Sequence, residues 1–164
     1  MVVAKQTTIE KYPLEQRKVI KKTVAAIWSM FLLFLIVFLP AHIFLWKSYK
    51  TILIVIDVLY ALNIIIQPFY QYLYYKKYFY DVRPDFLVIR KGVIMVRETI
   101  LDYDKIQDVY MDQDLFDRMF SLWDVHVSTA TSMSGVEAHI DGVNHENAMT
   151  IRELILDKIR VRKK

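Results

Sequence analysis

Few side chains in this sequence can do acid–base, metal or nucleophilic chemistry. Histidine occurs four times, at positions 42, 126, 139 and 145, and cysteine does not occur. The chain therefore has no thiolate nucleophile, zinc-thiolate centre, disulfide or CxxC redox pair. His126 sits between Val125 and Val127, followed by Ser128, Thr129, Thr131, Ser132 and Ser134. A hydroxyl nucleophile needs an oriented base and an oxyanion hole, and nothing here supplies either, so a hydrolase-type enzyme ranks last. His139, Asp141 and His145 flank a turn signal and could surround a metal ion, but solvated turn residues explain them more simply. GxSxG, HExxH, Walker A and GxGxxG are all absent, and three glycines leave little material for a phosphate-cradling loop. The reading assigns no catalytic residue, cofactor, metal or small-molecule substrate.

Two other constellations are more informative. Acidic residues at 102, 104, 108, 112, 114 and 117 are dense, but they lack the central Gly and twelfth-position Glu of a calcium loop. They read as a solvated acidic face, within which Asp104, Asp108, Asp112 and Asp114 are candidate docking points for a basic protein segment. Asp57 and His42 lie inside apolar stretches, seven residues after Lys50 and five before Lys47 respectively. A carboxylate in such a setting is costly unless partnered. Pairing of Asp57 with His42, a lysine or a neighbouring helix is the expected solution, with Asn63 as a further helix–helix contact.

The elements that position these residues follow from composition. The 164 residues are 55% hydrophobic, with mean hydropathy +0.23 despite 22 Lys/Arg and 18 Asp/Glu. Net charge is +4, but it divides unevenly: residues 1–77 carry +7 and residues 78–164 carry −3. Positive charge beside apolar stretches is a membrane pattern rather than a nucleic-acid footprint. Residues 23–46 lack any charge and 51–75 hold only Asp57, so two transmembrane spans joined by the Lys47–Lys50 loop are expected. Trp28 and Trp46 mark the ends of the first span. Pro40 is expected to bend it or to lie near its outer end. Flanking lysines and arginines place both termini in the cytoplasm, giving a multi-pass cell-membrane protein with a basic segment at 1–22 and a cytoplasmic domain at 76–164.

Within that domain the hydrophobic period becomes two. Strands are expected at Tyr78–Val82, Phe86–Arg90, Val93–Ile100, Ile106–Met111, Val125–Ser128 and Val136–Ile140. Arg83-Pro84-Asp85, Lys91-Gly92 and Asp141-Gly142 read as turns. Leu115–Phe120 is short and amphipathic. From Asn144, a candidate N-cap, Ala148, Ile151, Leu154, Ile155 and Ile159 follow a helical period. Lys76 and Lys77, with Arg90 and Lys91, are the candidate lipid-contact cations.

Residues 86–130 carry a resemblance. Ile106-Gln107-Asp108-Val109, then Leu115, Arg118, Leu122, Val125, Val127, Ser128, Thr129 and Ala130, resemble the pattern of the bacterial pleckstrin-homology-like membrane protein family, bPH2. Ser121 stands where the family commonly has Gly. The resemblance spans roughly 23–160. It implies a split barrel of seven antiparallel strands in two near-orthogonal sheets, capped by the C-terminal helix. It implies no reaction. The expected function is a membrane-anchored, non-enzymatic scaffold or interaction module, self-associating and contacting the lipid bilayer or another membrane protein. A small subunit of an oligomeric channel or transporter using Asp57 is the alternative.

Overall fold

The computed structural model describes residues 6–129 and 138–162. Contacts divide the chain into two compact units, one holding residues up to Lys18 together with Tyr74–Lys164, the other Val19–Leu73.

The second unit is helical. Helix α2 (Arg17–Leu33) passes through a π turn at Phe34–Phe38 into α3 (Leu39–Lys77), giving one helical run of 61 residues. This corrects the expected pair of separate spans with a loop between them: Lys47-Ser48-Tyr49-Lys50 lie within one helical run, which is kinked there. Only Tyr49 departs from helical geometry there, at φ −130 and ψ 24. Residues 26 apart in a straight helix would be about 39 Å apart, yet the Phe34 and Tyr60 rings lie 5.5 Å apart, so the run bends back at Tyr49. The π turn has a local cause. Pro40 has no N–H for the carbonyl of Ile36, and the wider turn just before it relieves the crowding between ring and carbonyl. The expected multi-pass localisation, with both termini cytoplasmic, is likewise corrected: among the described residues one helical run, Arg17–Lys77, is long and apolar enough to cross a membrane.

The first unit holds two antiparallel sheets of three strands each. β1 (Phe79–Val82), β2 (Phe86–Lys91) and β3 (Arg97–Asp102) form one in sequential order; β4 (Ile106–Asp112), β5 (Trp123–Thr129) and β6 (Ala138–Val143) form the other. Two separate three-stranded sheets, six strands among the described residues, correct the expected seven-stranded split barrel. Part of the expected Thr129–Gly135 loop and the start of the expected last strand, Val136, lie outside the described residues.

Two local readings also change. Val93–Val96 do not pair, and β3 begins only at Arg97, because Gly92 takes φ +120 and turns the chain out of the sheet. A Cβ at Gly92 would meet the Met95 carbonyl oxygen at 2.0 Å. Asp141-Gly142 are not a turn but lie within β6, where the ladder with β5 shifts register between Trp123 and Val125.

Strand alternation builds the core. Tyr80, Leu87 and Ile89 from one sheet and Val125, Val127 and Ile140 from the other are at most 1% exposed. Helix α5 (His145–Arg162) adds Ala148, Ile151 and Ile155, each fully buried at i, i+3 and i+7. Asn144 caps it, its side-chain oxygen accepting the Asn147 N–H at 2.8 Å. Helix α4 (Leu115–Phe120) is closed at its start by a reciprocal Asp114/Asp117 capping box and at its end by Ser121 in the left-handed region, φ 54.

The N-terminal residues complete this unit. After the single turn α1 (Thr8–Lys11), Leu14 enters the core. Thr8 donates through both its N–H and hydroxyl to Asp81 at 3.0 Å, and the Tyr80 hydroxyl donates to the Tyr12 carbonyl. The Glu15 N–H donates to the Gly142 carbonyl at 2.8 Å.

Candidate functional site

Lys76 and Lys77 end α3, and β1 begins two residues later. The register pairs Phe79 with Arg90, so the β2–β3 turn returns to the end of the sheet at which the chain leaves the helix. Lys77 Nζ donates to the Val93 carbonyl at 3.2 Å, tying that turn to the helix end. Arg90 lies over the Phe79 ring at 5.2 Å from its centroid and 3.9 Å from the Glu98 carboxylate. Lys91 Nζ is 3.3 Å from His139 Nδ1. Between these cations the turn exposes Ile94 and Met95, each at 88%, and Val96. The alternating reading of Val93–Ile100 concealed this tip. Its signal was Gly92 directly before four consecutive apolar residues with no polar partner face.

In the helical unit Trp28 packs on Phe31 with ring centroids 5.9 Å apart, Trp46 stacks on His42 at 5.8 Å, and Lys50 Nζ lies over the Trp46 ring at 5.8 Å from its centroid. His42 and Asp57 meet: Nε2 lies 3.0 Å from Oδ2, while Nδ1 is 2.7 Å from the Phe38 carbonyl. A carbonyl only accepts, so Nδ1 carries a proton. The Nε2–Oδ2 contact then needs one more, held either by the ring or by the carboxyl. The pair is neutral overall in both cases, which makes it tolerable among apolar side chains. Asn63 is exposed and borders a shallow depression with Ile66, Gln67 and Tyr70.

The acidic candidates are dispersed among local tasks. Asp114 caps α4, Asp104 lies 3.9 Å from Arg162, and Asp112 Oδ1 lies 3.0 Å from His126 Nε2. Asp108 is exposed on β4. Asp112, Asp124 and His126 each offer a ligand atom, all within 4.8 Å of one another. That grouping joins a residue read as part of the acidic face to a histidine read as a strand residue. Only the β4–β5 register, Asp112 opposite Asp124, reveals it. Asp124 already accepts the Gly142 N–H at 2.8 Å. The suggested His139/Asp141/His145 set does not assemble: His139 is 3.8 Å from Asp141, whereas His145 packs against Trp123 at 4.7 Å. Of the hydroxyls near His126, Thr131, Ser132 and Ser134 lie outside the described residues.

The strongest electrostatic feature was not anticipated. Lys18, 1% exposed, forms an ion pair with Asp141, 3% exposed, and also donates to the Asp141 carbonyl at 3.0 Å. Its ammonium lies 3.8 Å from the centroid of Tyr78, whose hydroxyl donates to the His139 carbonyl at 2.7 Å. Burial, with the Asp141 carboxylate adding to it, pushes the Tyr78 phenol well above its ordinary pKa, so it stays a donor. A Cβ on Gly142 would lie 2.6 Å from the Lys18 side chain, so the glycine makes room for the pair. Burial alone would raise Asp81, but donation by the Thr8 N–H and hydroxyl and by Arg83 holds it below the ordinary carboxylate range. A cleft of about 450 Å³ beside it is lined by Thr8, Lys11, Arg83 and Lys158, among others.

Compared with known proteins, residues 19–159 match the family model for the bacterial PH domain, bPH_2. No curated protein and no solved structure matches the chain.

Proposed function

The chain belongs to the bacterial PH-domain family, and on that premise we propose that it is a membrane-associated interaction module that holds partners at a lipid surface. Family membership is consistent with a non-enzymatic domain. The observation that carries the membrane part of the reading is the exposure of large apolar side chains along one helical run, among them Ile36 at 73% and Phe44 at 82%. Water penalises such a surface at about 25 cal/mol per Å², and a hydrocarbon environment removes the penalty. His42 already engages Asp57, which favours a structural role for that carboxylate over a polar conduction path. The PH-like unit supplies no convergent set of nucleophile, base and oxyanion donors among its described residues, and its surface offers contacts instead. Self-association or capture of a second membrane protein fits such a module, since confinement to a surface raises local concentration.

Extraction of native membranes with alkaline carbonate and with urea tests the first part: the chain should stay with the membrane pellet in both. Release by carbonate would sink the reading. Crosslinking in those membranes, with mass identification of the products, tests the second: adducts should contain a second copy or a membrane protein. An absence of adducts at any crosslinker length would count against a scaffold.

A further inference from the structure

We infer that the β2–β3 turn is a second membrane contact, which inserts Ile94 and Met95 into the headgroup–acyl boundary of an anionic bilayer. The inference rests on the membrane-associated reading above and deepens it by naming the surface and the lipid chemistry. Four observations converge on it. First, Ile94 and Met95 are each 88% exposed and Val96 57%, three consecutive apolar residues open to the surroundings in a domain that buries Leu87, Ile89, Val125, Val127 and Ile140. Clustered apolar residues at a loop tip have no use in water and a clear one in the acyl boundary. Second, the tip is built rather than frayed. Gly92 at φ +120 redirects the chain, and the Met95 carbonyl closes over it where any Cβ would collide. Third, its position is set by the sheet. The Phe79–Arg90 register and the Lys77-to-Val93 hydrogen bond place the turn at the end of the sheet where Lys77 leads into β1, so Lys77 and Arg90 share that end of the domain with the apolar tip.

Fourth, the charge is right for lipid and wrong for the alternatives. From Arg90 to Arg97 the chain holds three cations and no carboxylate, flanking the apolar tip on both sides. Basic residues around an inserting apolar tip are drawn to anionic headgroups, at about 1 kcal/mol each near the surface. The same cations would repel one another if two copies met tip to tip. Glu98, just past the tip, lies 3.9 Å from Arg90 and leaves the segment with a net positive charge.

The test uses the full chain, which contains no cysteine and so takes single labels cleanly. Met95→Cys, Met119→Cys and Leu35→Cys each carry an environment-sensitive fluorophore, in vesicles of equimolar phosphatidylglycerol and phosphatidylcholine. Met119 is the comparator, 67% exposed on α4, and Leu35 reports the apolar helix. The expected result is quenching of the Met95 label by nitroxide-bearing lipid several-fold above that of the Met119 label, with iodide showing the reverse order. Vesicles of phosphatidylcholine alone should weaken the effect at Met95 and leave Leu35 unchanged. If the Met95 label is as open to iodide as Met119 while Leu35 is lipid-quenched, the inference falls and the membrane-associated reading stands. If the Met95 label resists both quenchers, a protein covers the tip and the lipid assignment is overturned. If Leu35 itself is open to iodide, the underlying reading fails and takes the inference with it.

Discussion

The two units of this molecule treat the same residue types in opposite ways. Between Val19 and Leu73, isoleucine and phenylalanine point outward; Ile43 is 68% and Phe69 68% exposed, and Leu53 is the one buried apolar residue among those described there. In the other unit Ile89, Ile106, Ile140, Ile151 and Ile155 are at most 2% exposed. The polar pairs differ in burial too: the side chains of His42 and Asp57 in the helical unit are 22% and 42% exposed, whereas those of the Lys18–Asp141 ion pair in the PH-like unit are 2% and 4% exposed. What differs is the solvent each surface is written for. One unit makes its own apolar interior and can then accommodate a charged pair inside it. The other presents its apolar surface to the surroundings.

Breaking the buried pair should produce the largest effect. Lys18→Ala leaves Asp141 uncompensated inside the domain, with an expected loss of about 3–5 kcal/mol, read as a fall in the melting temperature followed by tertiary circular dichroism in detergent. Lys18→Met with Asp141→Leu should recover much of that loss, since apolar replacement of both partners removes the buried charge. A truncation made in both units draws the contrast directly. Ile151→Ala should cost about 2–5 kcal/mol by leaving a cavity, while Ile65→Ala, at 61% exposure in the helical unit, should leave the domain's melting temperature unchanged. An equal loss from both would erase the distinction.

Smaller effects sharpen it. Ser121 holds a left-handed conformation, φ 54, that L side chains adopt at a cost. Ser121→Gly should therefore stabilise the domain by about 1 kcal/mol in the same melt. Asp81 has a folded-state pKa below its ordinary value, so its contribution is fully present above that ordinary value and lost as pH falls through the folded one. Stability should decline below about pH 4, and Asp81→Asn should flatten that acid limb relative to the parent chain. An unchanged acid limb would mean that the Thr8 contacts do not couple to folding.

Much of the domain was legible because its signals are local. Short apolar, β-branched or alternating runs located β1, β2, β4 and β5, and the period of Ala148, Ile151 and Ile155 located α5 together with its Asn144 cap. Local signals also explain the failures. Four apolar residues after Gly92 read as strand because alternation cannot register a φ of +120 that turns them out of the sheet. Lys47 and Lys50 flank Tyr49, where the departure from helical φ/ψ is confined to one residue, so a charge count reads four residues as a loop where the run is only kinked. Lys18 was counted among flanking cations, since its partner lies 123 residues away and only the closed domain brings them together. The Asp112–His126 contact needed strand register, which sequence pattern leaves open here.

That distance along the chain has a consequence for synthesis. Leu14 shares a core with Ile151, so the first folded-domain residues to be made are among the last to find their places. At about 5–20 residues per second, the N-terminal segment waits roughly ten seconds to half a minute for its partners, while the whole apolar helix emerges in between. The domain cannot close until that helix has been made. Completion of the core is thus a late event in synthesis, and a chain that stops short of it leaves Leu14 and the charge of Lys18 without the residues that bury them.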